Sequence, residues 1–402
     1  MAVAATVEKK RMLVTRAVAR RTLCALPLML TGCRGDTNFP QTTFHPVSEF
    51  GRILNGTFYI TFWWTMIILV IVIALILYAV FRFRERPDTP QPKQIHGNTM
   101  VEILWTIVPA FIVVAIAVPT VQAIFETQRR PPEDALIVEV IGHQWWWEFN
   151  YPQYGVRTAN TAWLPTGRPV SLAMRSADVI HSFWIPRIGG KRDVNPLPRR
   201  REGTAPKHDN YLLFTVDEPG HYLGQCAEYC GEAHAIMRMT VNAVTPAAFD
   251  DWVQRMTGTA RDTSAAADSA AVPTPAQASF GQLPAPTGAG NPFRAPLADT
   301  LLAAAGERIF TSAVCTACHA VAGTSAAGTI GPDLTLFGTR PYIGAGAAGN
   351  TREQLEQWIR DPQSLKPGTL MPGTRRPGGG MPPTNLTDAE VRAVAAYLSS
   401  LK

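Results

Sequence analysis

Charged side chains are scarce in this sequence of 402 residues: they make up 17% of it, whereas 46% of the residues are hydrophobic. So long and apolar a chain has room for two or three compact units and for membrane spans, and a single core does not account for it. The formal net charge of +6 is spread along the chain, and part of it falls in the N-terminal segment. We therefore infer no nucleic-acid partner.

Cysteine is also rare, and four of the six cysteines form two close pairs. These four residues are Cys226, Cys230, Cys315 and Cys318. A histidine follows each pair within a few residues, which is typical of cofactor sites. A disulfide is the alternative for each pair, although a bridge that closes so short a loop removes little entropy from the unfolded chain.

Residues 1–32 are typical of a secretory leader. Basic residues come first, and the apolar run at 23–30 that follows is too short to span a bilayer. The run ends in Leu30-Thr31-Gly32-Cys33, which resembles the lipobox of bacterial lipoproteins. The resemblance implies that Cys33 is acylated and begins the mature chain. An ordinary leader with a chance cysteine is the alternative.

Two later apolar runs are long enough to cross a membrane. Residues 58–81 contain no charge, and at about 1.5 Å per residue a helix of this length spans the hydrocarbon core. Residues 103–124 form the second run. The loop between the runs carries Arg82, Arg84, Arg86 and Lys93. Basic loops stay in the cytoplasm, so we expect both chain ends and everything after this membrane anchor, residues 33–130, to lie outside.

Three further segments follow the anchor. In residues 131–257, short β-branched and aromatic runs at 136–141, 170–174, 211–216 and 237–244 predict an antiparallel β-sandwich or barrel. Residues 258–298 are dense in Ala, Pro, Thr, Ser and Gly, which predicts a flexible linker. Residues 299–402 contain helical patterns at 303–310, 352–359 and 388–398, and Thr387 is placed to cap the last helix.

Residues 226–237 offer two thiols, an imidazole and a thioether, and His181 offers a second imidazole 45 residues before Cys226. A mononuclear blue-copper site needs one thiolate, two imidazoles and a weak axial methionine, so this chain has one thiolate too many. Two copper ions that share both thiolates, with one histidine each, would use the full set. A zinc site of the Cys₂His₂ type and a disulfide are the alternatives, but zinc needs neither Met237 nor Glu228.

The loop resembles the binuclear copper A loop of cytochrome c oxidase subunit II. The motif is Cys226-x-Glu228-x-Cys230-Gly-x-x-His234-x-x-Met237. The resemblance implies that the two cysteines bridge the coppers and that His181 and His234 bind one copper each. It also implies that Met237 is a weak ligand, that Glu228 contributes its backbone carbonyl, and that the Glu228 carboxylate reaches a magnesium ion at the interface with subunit I.

Other segments resemble the same family. The run Gly-His-Gln-Trp-Trp-Trp at 142–147 resembles the aromatic strand over the copper site, where Trp145 matches the residue at which electrons enter. A core tryptophan is the alternative. Glu102 resembles the glutamate at the mouth of a proton path into subunit I, and the alternative is an interfacial carboxylate at a helix start. The family's Pro-Gly-Arg turn after Asp193 is missing, so Arg199, Arg200 and Arg201 receive no role.

The run Cys315-Thr-Ala-Cys318-His319 is the attachment signature of a c-type haem: two thioethers hold the haem and the histidine supplies the proximal nitrogen. A thioredoxin-like or a zinc-binding CxxC motif is the alternative. The first would need a βαβ context and the second another cysteine pair, and these are missing. The sixth ligand should be a downstream methionine. Residues 366–372 resemble the methionine loop of class I cytochromes c, which favours Met371 and leaves Met381 as its rival.

These resemblances identify the chain as a member of the cytochrome c oxidase subunit II family with a fused cytochrome c. They imply a multidomain protein: a transmembrane α-helical hairpin, an all-β cupredoxin-like sandwich or barrel, a flexible linker and an all-α cytochrome c domain. They also imply binuclear copper A, one covalent haem c and an interfacial magnesium. The expected location is the bacterial cytoplasmic (inner) membrane, with both redox domains on its outer side.

The resemblance implies an electron-transfer subunit of an oxidase. Electrons would enter at the haem from a soluble or membrane cytochrome c or another periplasmic donor, and would pass through copper A to the haem of subunit I. Oxygen is reduced to water there, with coupled proton pumping, and not in this chain. The expected partners are subunits I and III, the electron donor and the lipid membrane.

Three other classes of protein share part of this pattern. A nitrous oxide reductase-like enzyme has the same copper loop but needs a histidine-rich propeller, which the eight histidines of this chain cannot supply. A copper-binding assembly lipoprotein explains the lipobox and the thiols but not a haem, a membrane hairpin or Glu102. Quinol oxidase subunits share the hairpin and the sandwich but lack the copper cysteines.

Overall fold

The computed structural model describes residues 40–84, 94, 96–196, 210–257 and 296–402. Several of the predicted features lie outside these residues. They are the leader at 1–32, Cys33, Arg86, Lys93, Arg199, Arg200, Arg201 and nearly all of the linker at 258–298.

Within the described residues, two long helices come first, α1 (Glu49–Arg82) and α2 (Thr99–Thr127). Ser48 and Asn98 cap them, because their side-chain oxygens accept backbone N–H groups of the first turn. Both helices are long and apolar enough to cross a membrane, and their apolar stretches are not buried by the rest of the chain. They cover the two apolar runs of the sequence, so the exposed apolar surface is what a lipid-facing hairpin requires.

The hairpin is fixed to the β-sandwich at the start of α1 and at the end of α2. The Glu49 carboxylate, in the first turn of α1, accepts the N–H of Thr215 at 2.8 Å, and Phe50 beside it is buried. At the end of α2, the hydroxyl of Tyr211 donates to the carbonyl of Gln128 at 3.1 Å. The anchor and the sandwich are therefore one continuous unit rather than two tethered ones.

In the part of the sandwich that the structure describes, ten strands form two sheets. They are β1 (Leu136–His143), β2 (Trp146–Tyr151), β3 (Val156–Ala159), β4 (Thr161–Pro165), β5 (Pro169–Ser176), β6 (His181–Trp184), β7 (Arg192–Val194), β8 (Tyr211–Thr215), β9 (Gly220–Cys226) and β10 (Arg238–Val244). The sheet orders are β3-β2-β1-β5-β8 and β4-β10-β9-β6-β7. Helix α3 (Pro246–Met256) follows, and its Trp252 packs edge-on against Tyr151, with ring centroids 5.0 Å apart.

The predicted sandwich is confirmed, but two of its strand pairs are parallel and not antiparallel as predicted. Strand β1 pairs parallel with β5, with Leu136 opposite Val170, and β10 pairs parallel with β4. A parallel pair needs a crossover between its strands. The chain makes one by placing β4 in the second sheet before it returns to the first as β5.

The last part of the chain, residues 296–402, is a helical module. Its helices are α4 (Pro296–Ser312), α5 (Cys315–Cys318), α6 (Arg352–Arg360), α7 (Pro362–Leu365) and α8 (Asp388–Ser400). A 3₁₀ turn (Phe337–Thr339) and two short strands, β11 (Tyr342–Ile343) and β12 (Ala348–Gly349), lie between α5 and α6. Thr387 caps α8 in a reciprocal capping box with Glu390.

The core of the helical module forms where α4 crosses α8. A β-carbon on Gly306 would lie 1.9 Å from the carbonyl oxygen of Ala393, so only glycine permits this approach of the two backbones. Phe310 and Tyr397 pack beside the crossing, with ring centroids 5.6 Å apart. The close crossing holds the first and last helices of the module together.

The helical module lies directly against the sandwich. The backbone N–H of Arg238, at the start of β10, donates to the carbonyl of Ala345 at 3.0 Å. The guanidinium of Arg157 donates to the carbonyl of Gly328 at 3.3 Å, and Leu336 joins the apolar core of the sandwich. Backbone, side-chain and apolar contacts therefore all contribute to this interface.

Candidate metal and haem sites

The predicted metal-binding residues converge because of the strand order. Cys226 is the last residue of β9, and β6 lies beside β9, with Phe183 opposite Cys226. This pairing brings His181, the first residue of β6, to the end of β9. The chain then turns through Cys230 and a 3₁₀ turn that begins at His234 before it enters β10.

The sulfur and nitrogen atoms of these residues lie within a few ångströms of one another. The two sulfurs, Cys226 Sγ and Cys230 Sγ, are 3.8 Å apart. Cys226 Sγ is 4.0 Å from His181 Nδ1, and Cys230 Sγ is 3.6 Å from His234 Nδ1. The two sulfurs therefore contact two different histidines.

Two weaker donors complete the cluster. The Met237 sulfur is fully buried and lies 3.7 Å from Cys230 Sγ. The Glu228 carbonyl oxygen lies 3.3 Å from Cys226 Sγ, whereas the Glu228 side chain is exposed. The loop thus turns the Glu228 backbone toward the sulfurs and its carboxylate toward the outside. All six predicted copper-binding residues meet at one place.

The thiols differ in acidity because of their contact. Cys226 and Cys230 share one proton across the gap between their sulfurs, which lowers the pKa of Cys226 and raises that of Cys230. A site that already favours one thiolate is suited to a thiophilic metal such as copper or zinc.

Asp178 orients His181, and sequence reasoning missed it. The His181 Nε2–H donates to the Asp178 carboxylate at 2.8 Å, which leaves Nδ1 facing the sulfurs. Burial acts against the charged imidazole, but this hydrogen bond raises the pKa of His181 above its usual value. Carboxylates that hold the second nitrogen of a metal-binding histidine fix its tautomer. The sequence signal that could have identified Asp178 is an acidic residue three positions before His181.

Trp145 lies between the metal cluster and the helical module. Its indole Nε1–H donates to the carbonyl oxygen of Cys230 at 3.0 Å, and the Gln144 side chain donates to the same oxygen at 2.8 Å. The far side of the indole contacts Gly368 and lines the cavity of the helical module. The predicted electron-entry residue therefore contacts both candidate sites.

The cavity of the helical module contains the predicted haem-binding residues. Cys315, Cys318 and His319 all line it, and most of its other walls are apolar. The side chains that supply these apolar walls include Phe310, Leu334, Phe337, Ile343, Leu355, Trp358, Val394 and Leu398. An apolar cavity with two thiols and an imidazole at one wall fits a covalently attached haem.

Local contacts fix the imidazole of His319. Its Nδ1–H donates to the carbonyl of Pro332 at 2.7 Å, which leaves Nε2 as the available ligand atom. Burial lowers the pKa of His319, so the neutral form that a metal requires is favoured. The Gly-Pro-Asp-Leu segment at 331–334, which resembles the proximal segment of cytochromes c, is the one that makes this contact.

Both candidate methionines, Met371 and Met381, line the cavity. The sulfur of Met381 lies 3.7 Å from the sulfur of Cys318. Met371 lies on the loop that contacts the sandwich, three residues after Gly368, which touches Trp145. The choice of Met371 as the axial ligand remains a prediction.

Sequence reasoning also missed a cation in the cavity. Arg340 lines the cavity and donates to the carbonyl of Asp333, within its own module. Burial lowers the pKa of Arg340 to about 10. A guanidinium turned toward an apolar cavity matches the carboxylates that a haem carries. The haem is therefore compatible with the donor set, the apolar walls and the charge of this cavity.

Glu102 lies in the first turn of α2, at the opposite end of that helix from Gln128, which contacts the sandwich. Its carboxylate accepts the backbone N–H of Asn98, the residue that caps this helix, at 3.3 Å. This contact fits the alternative, an interfacial carboxylate at a helix start, and it does not test a role in proton uptake.

Models of known protein families match three parts of the chain. The transmembrane domain of cytochrome c oxidase subunit II matches residues 40–123, and the periplasmic domain of the same subunit matches residues 156–244. Cytochrome c matches residues 303–402. The matches follow one another in the order of the hairpin, the sandwich and the helical module, and they imply copper A in the sandwich and haem in the module.

Relatives match over nearly the full length. Cytochrome c oxidase subunit 2 of Alkalihalophilus pseudofirmus is 33% identical over 94% of this chain and 96% of its own length. That of Bacillus subtilis is 30% identical over the same shares. Quinol oxidase subunit 2 of Bacillus cereus is 33% identical over only 58% of this chain and 79% of its own. This chain belongs to the cytochrome c oxidase subunit II family, as an electron-transfer subunit of an oxidase with a cytochrome c domain fused at its C-terminal side.

Proposed function

We propose that this chain accepts electrons from an external donor at its helical module, delivers them to the β-sandwich and passes them on to subunit I. The position of Trp145 carries the proposal. One side of its indole lines the cavity of the helical module, and its Nε1–H donates to the carbonyl of Cys230 in the metal cluster. A single side chain thus bridges the two candidate sites.

The helical module would hold one haem c. Cys315 and Cys318 would form the thioethers, and His319 and Met371 would be the axial ligands. Arg340, which lines the cavity, would neutralise a haem carboxylate. The haem, like the copper pair, supplies one-electron redox chemistry when it is bound.

The sandwich would hold two copper ions. Two histidines that contact different sulfurs of the pair suit two metal ions better than one, because a single ion would draw both imidazoles to the same point. Cys226 and Cys230 would bridge, His181 and His234 would bind one ion each, and Met237 with the Glu228 carbonyl would be weak ligands. The buried Met237 thioether also favours copper over zinc, since structural zinc sites use thiolate and imidazole.

The surface of the metal loop would face subunit I. Tyr229 of this loop is 75% exposed, beside the exposed side chain of Glu228. A large aromatic side chain left in solvent next to a redox site is typical of a protein interface. The Glu228 carboxylate would reach magnesium at this interface, and Glu102 would open the proton path.

The remaining assignments concern location and partners. The hairpin would place the sandwich and the helical module on the outer, periplasmic face of the cytoplasmic membrane, with Cys33 acylated. Subunits I and III and the lipid membrane would be its stable partners. A cytochrome c or another periplasmic protein would be the electron donor, and oxygen reduction in subunit I would be coupled to proton pumping.

Metal analysis and electron paramagnetic resonance of the matured full-length chain test the cofactors. We expect two coppers and one haem iron per chain. An electron shared equally by two copper nuclei gives a seven-line spectrum, because each nucleus has spin 3/2. One copper with a four-line spectrum, or zinc in its place, would contradict the proposal.

A further inference from the structure

Lys366 is the most deeply buried cation of the helical module. Its side chain is 3% exposed, whereas Lys402, the other lysine in residues 296–402, is exposed. Lysine is rarely this buried unless its ammonium group has partners. The contacts of Lys366 therefore decide what this residue does.

The three partners of Lys366 come from both sides of the interface. Its Nζ donates to the carbonyl oxygens of Trp145 at 2.5 Å, of Ile236 at 2.9 Å and of Gly344 at 2.9 Å. The first two belong to the sandwich and the third to the helical module. An ammonium group has three N–H donors, so these carbonyls use all of them.

These contacts converge where electrons are proposed to pass. Trp145 touches both candidate sites, and Ile236 precedes the predicted ligand Met237 in the metal loop. Lys366 itself begins the loop that leads to Met371. One side chain therefore links the entry tryptophan, the metal loop and the methionine loop.

All three partners of Lys366 are neutral carbonyls. The free-energy cost of burying its ammonium group therefore depends on whether the interface is formed. Burial lowers the pKa of Lys366 to about 7, and the nearby positive charge of Arg238 acts in the same direction, while the Cys230 thiol acts in the opposite one. The loss of hydration is offset only while all three carbonyls are in place. Without the lysine, the carbonyls of Trp145 and Ile236 would be buried and unpaired, which is costly.

We propose that Lys366 is a positioning residue, which holds the helical module on the sandwich so that Trp145 stays between the haem cavity and the metal loop. This role rests on the proposed function, since it serves delivery from the module to the sandwich. It differs from a role in folding the module, because two of the three acceptors lie outside that module.

Hydrogen exchange of the full-length chain measures this contact independently of electron transfer. The amide of Arg238 donates across the interface to Ala345, whereas the amide of Thr240, two residues later, donates to Asn160 within the sandwich. In Lys366→Met, exchange at Arg238 should accelerate by roughly tenfold or more, because the interface opens more often once its carbonyls lack a donor. Exchange at Thr240 should not change, and Lys402→Met should behave like the wild type.

Three results would overturn the proposal. Exchange at Arg238 that is unchanged in Lys366→Met would show that the lysine does not hold the interface. Faster exchange at Thr240 would show that the sandwich itself is disturbed. The N–H of Val391 donates to the carbonyl of Thr387 at the start of α8, within the helical module. Faster exchange of this amide would show that Lys366 stabilises the fold of the module itself.

Electron transfer provides the second readout. After photoreduction of the haem, the first-order rate of transfer to copper should fall in Lys366→Met, because Trp145 is held less firmly between the haem cavity and the metal loop, with the haem and copper spectra unchanged. An unchanged rate of electron transfer despite faster exchange would show that Lys366 has no role in electron delivery to copper. A wild-type chain that shows the protected Arg238 amide but no transfer would contradict the proposed function instead.

Discussion

The backbone of Gly331 lies against the imidazole of His319. A β-carbon at position 331 would be 2.8 Å from Cε1 and 3.0 Å from Nδ1 of that ring. Real side chains do not come so close, so the imidazole occupies its position only because residue 331 has no side chain. The hydrogen bond from Nδ1 to Pro332, one residue further on, holds the ring from the same segment.

Gly331→Ala should therefore displace the His319 ring. In the haem-loaded full-length chain, we expect a mixture of high-spin and low-spin haem instead of one low-spin species, measured by visible absorption. Gly349→Ala is the matched control, because a β-carbon there has open space in the same module. A purely low-spin spectrum in Gly331→Ala would show that the ring is not placed by this contact.

The two methionines of the cavity can be separated by substitution. Met371→Leu should lose the charge-transfer band of a methionine-ligated haem and should lower the haem potential, because a thioether ligand raises it. Met381→Leu removes the neighbour of Cys318 and should keep both properties. The reverse pattern would assign the axial position to Met381.

Asp178→Asn tests whether the Asp178 carboxylate holds the His181 imidazole in position for metal binding. Partners that orient a metal-binding histidine typically contribute about 10-fold to 100-fold in metal affinity, so copper binding should weaken by that order in a competition titration. Asp250→Asn, at an exposed position of α3, is the control. Equal affinity in Asp178→Asn and the wild type would mean that the strand pairing alone holds His181 in place.

Glu148 makes the sandwich sensitive to acid. Burial alone would raise its pKa, but the hydrogen bond from His143 at 3.0 Å lowers it below 4.5. A carboxyl group whose pKa is lower in the folded state stabilises the fold above pH 4.5, and that contribution disappears as the pH falls through the lowered value.

Thermal unfolding followed by tryptophan fluorescence measures this effect. Glu148→Gln should lower the stability at pH 7 by about 1–3 kcal/mol and should lose less stability than the wild type on acidification. Glu218→Gln, at an exposed position of the sandwich, should match the wild type at both pH values. A wild-type pH dependence in Glu148→Gln would place the acid sensitivity elsewhere.

Local motifs could be predicted from the sequence because their chemistry is contiguous. The metal loop places five of the six predicted copper-binding residues within twelve residues, the haem signature lies within five, and the capping box of α8 lies within four. His181 needed the family resemblance, since only the pairing of β6 with β9 brings it to Cys226. The β-branched runs indicated strands but not their order.

Contacts between distant segments could not be predicted in the same way. The parallel pairing of β1 with β5 depends on a crossover through the second sheet. Lys366 reads as an ordinary surface lysine until the helical module lies on the sandwich, because its partner Trp145 is 221 positions away. Such contacts depend on the packing of whole units, which no short pattern encodes.

Electron transfer within one chain is tested most directly by a dilution series. The full-length chain, loaded with haem and copper, is photoreduced at the haem, and haem reoxidation is followed together with copper reduction over a hundredfold range of protein concentration. Contact through Trp145 predicts one first-order rate constant, the same at every concentration and for both signals. A rate constant proportional to concentration, or a haem that stays reduced while copper is oxidised, would contradict delivery from the helical module to the sandwich.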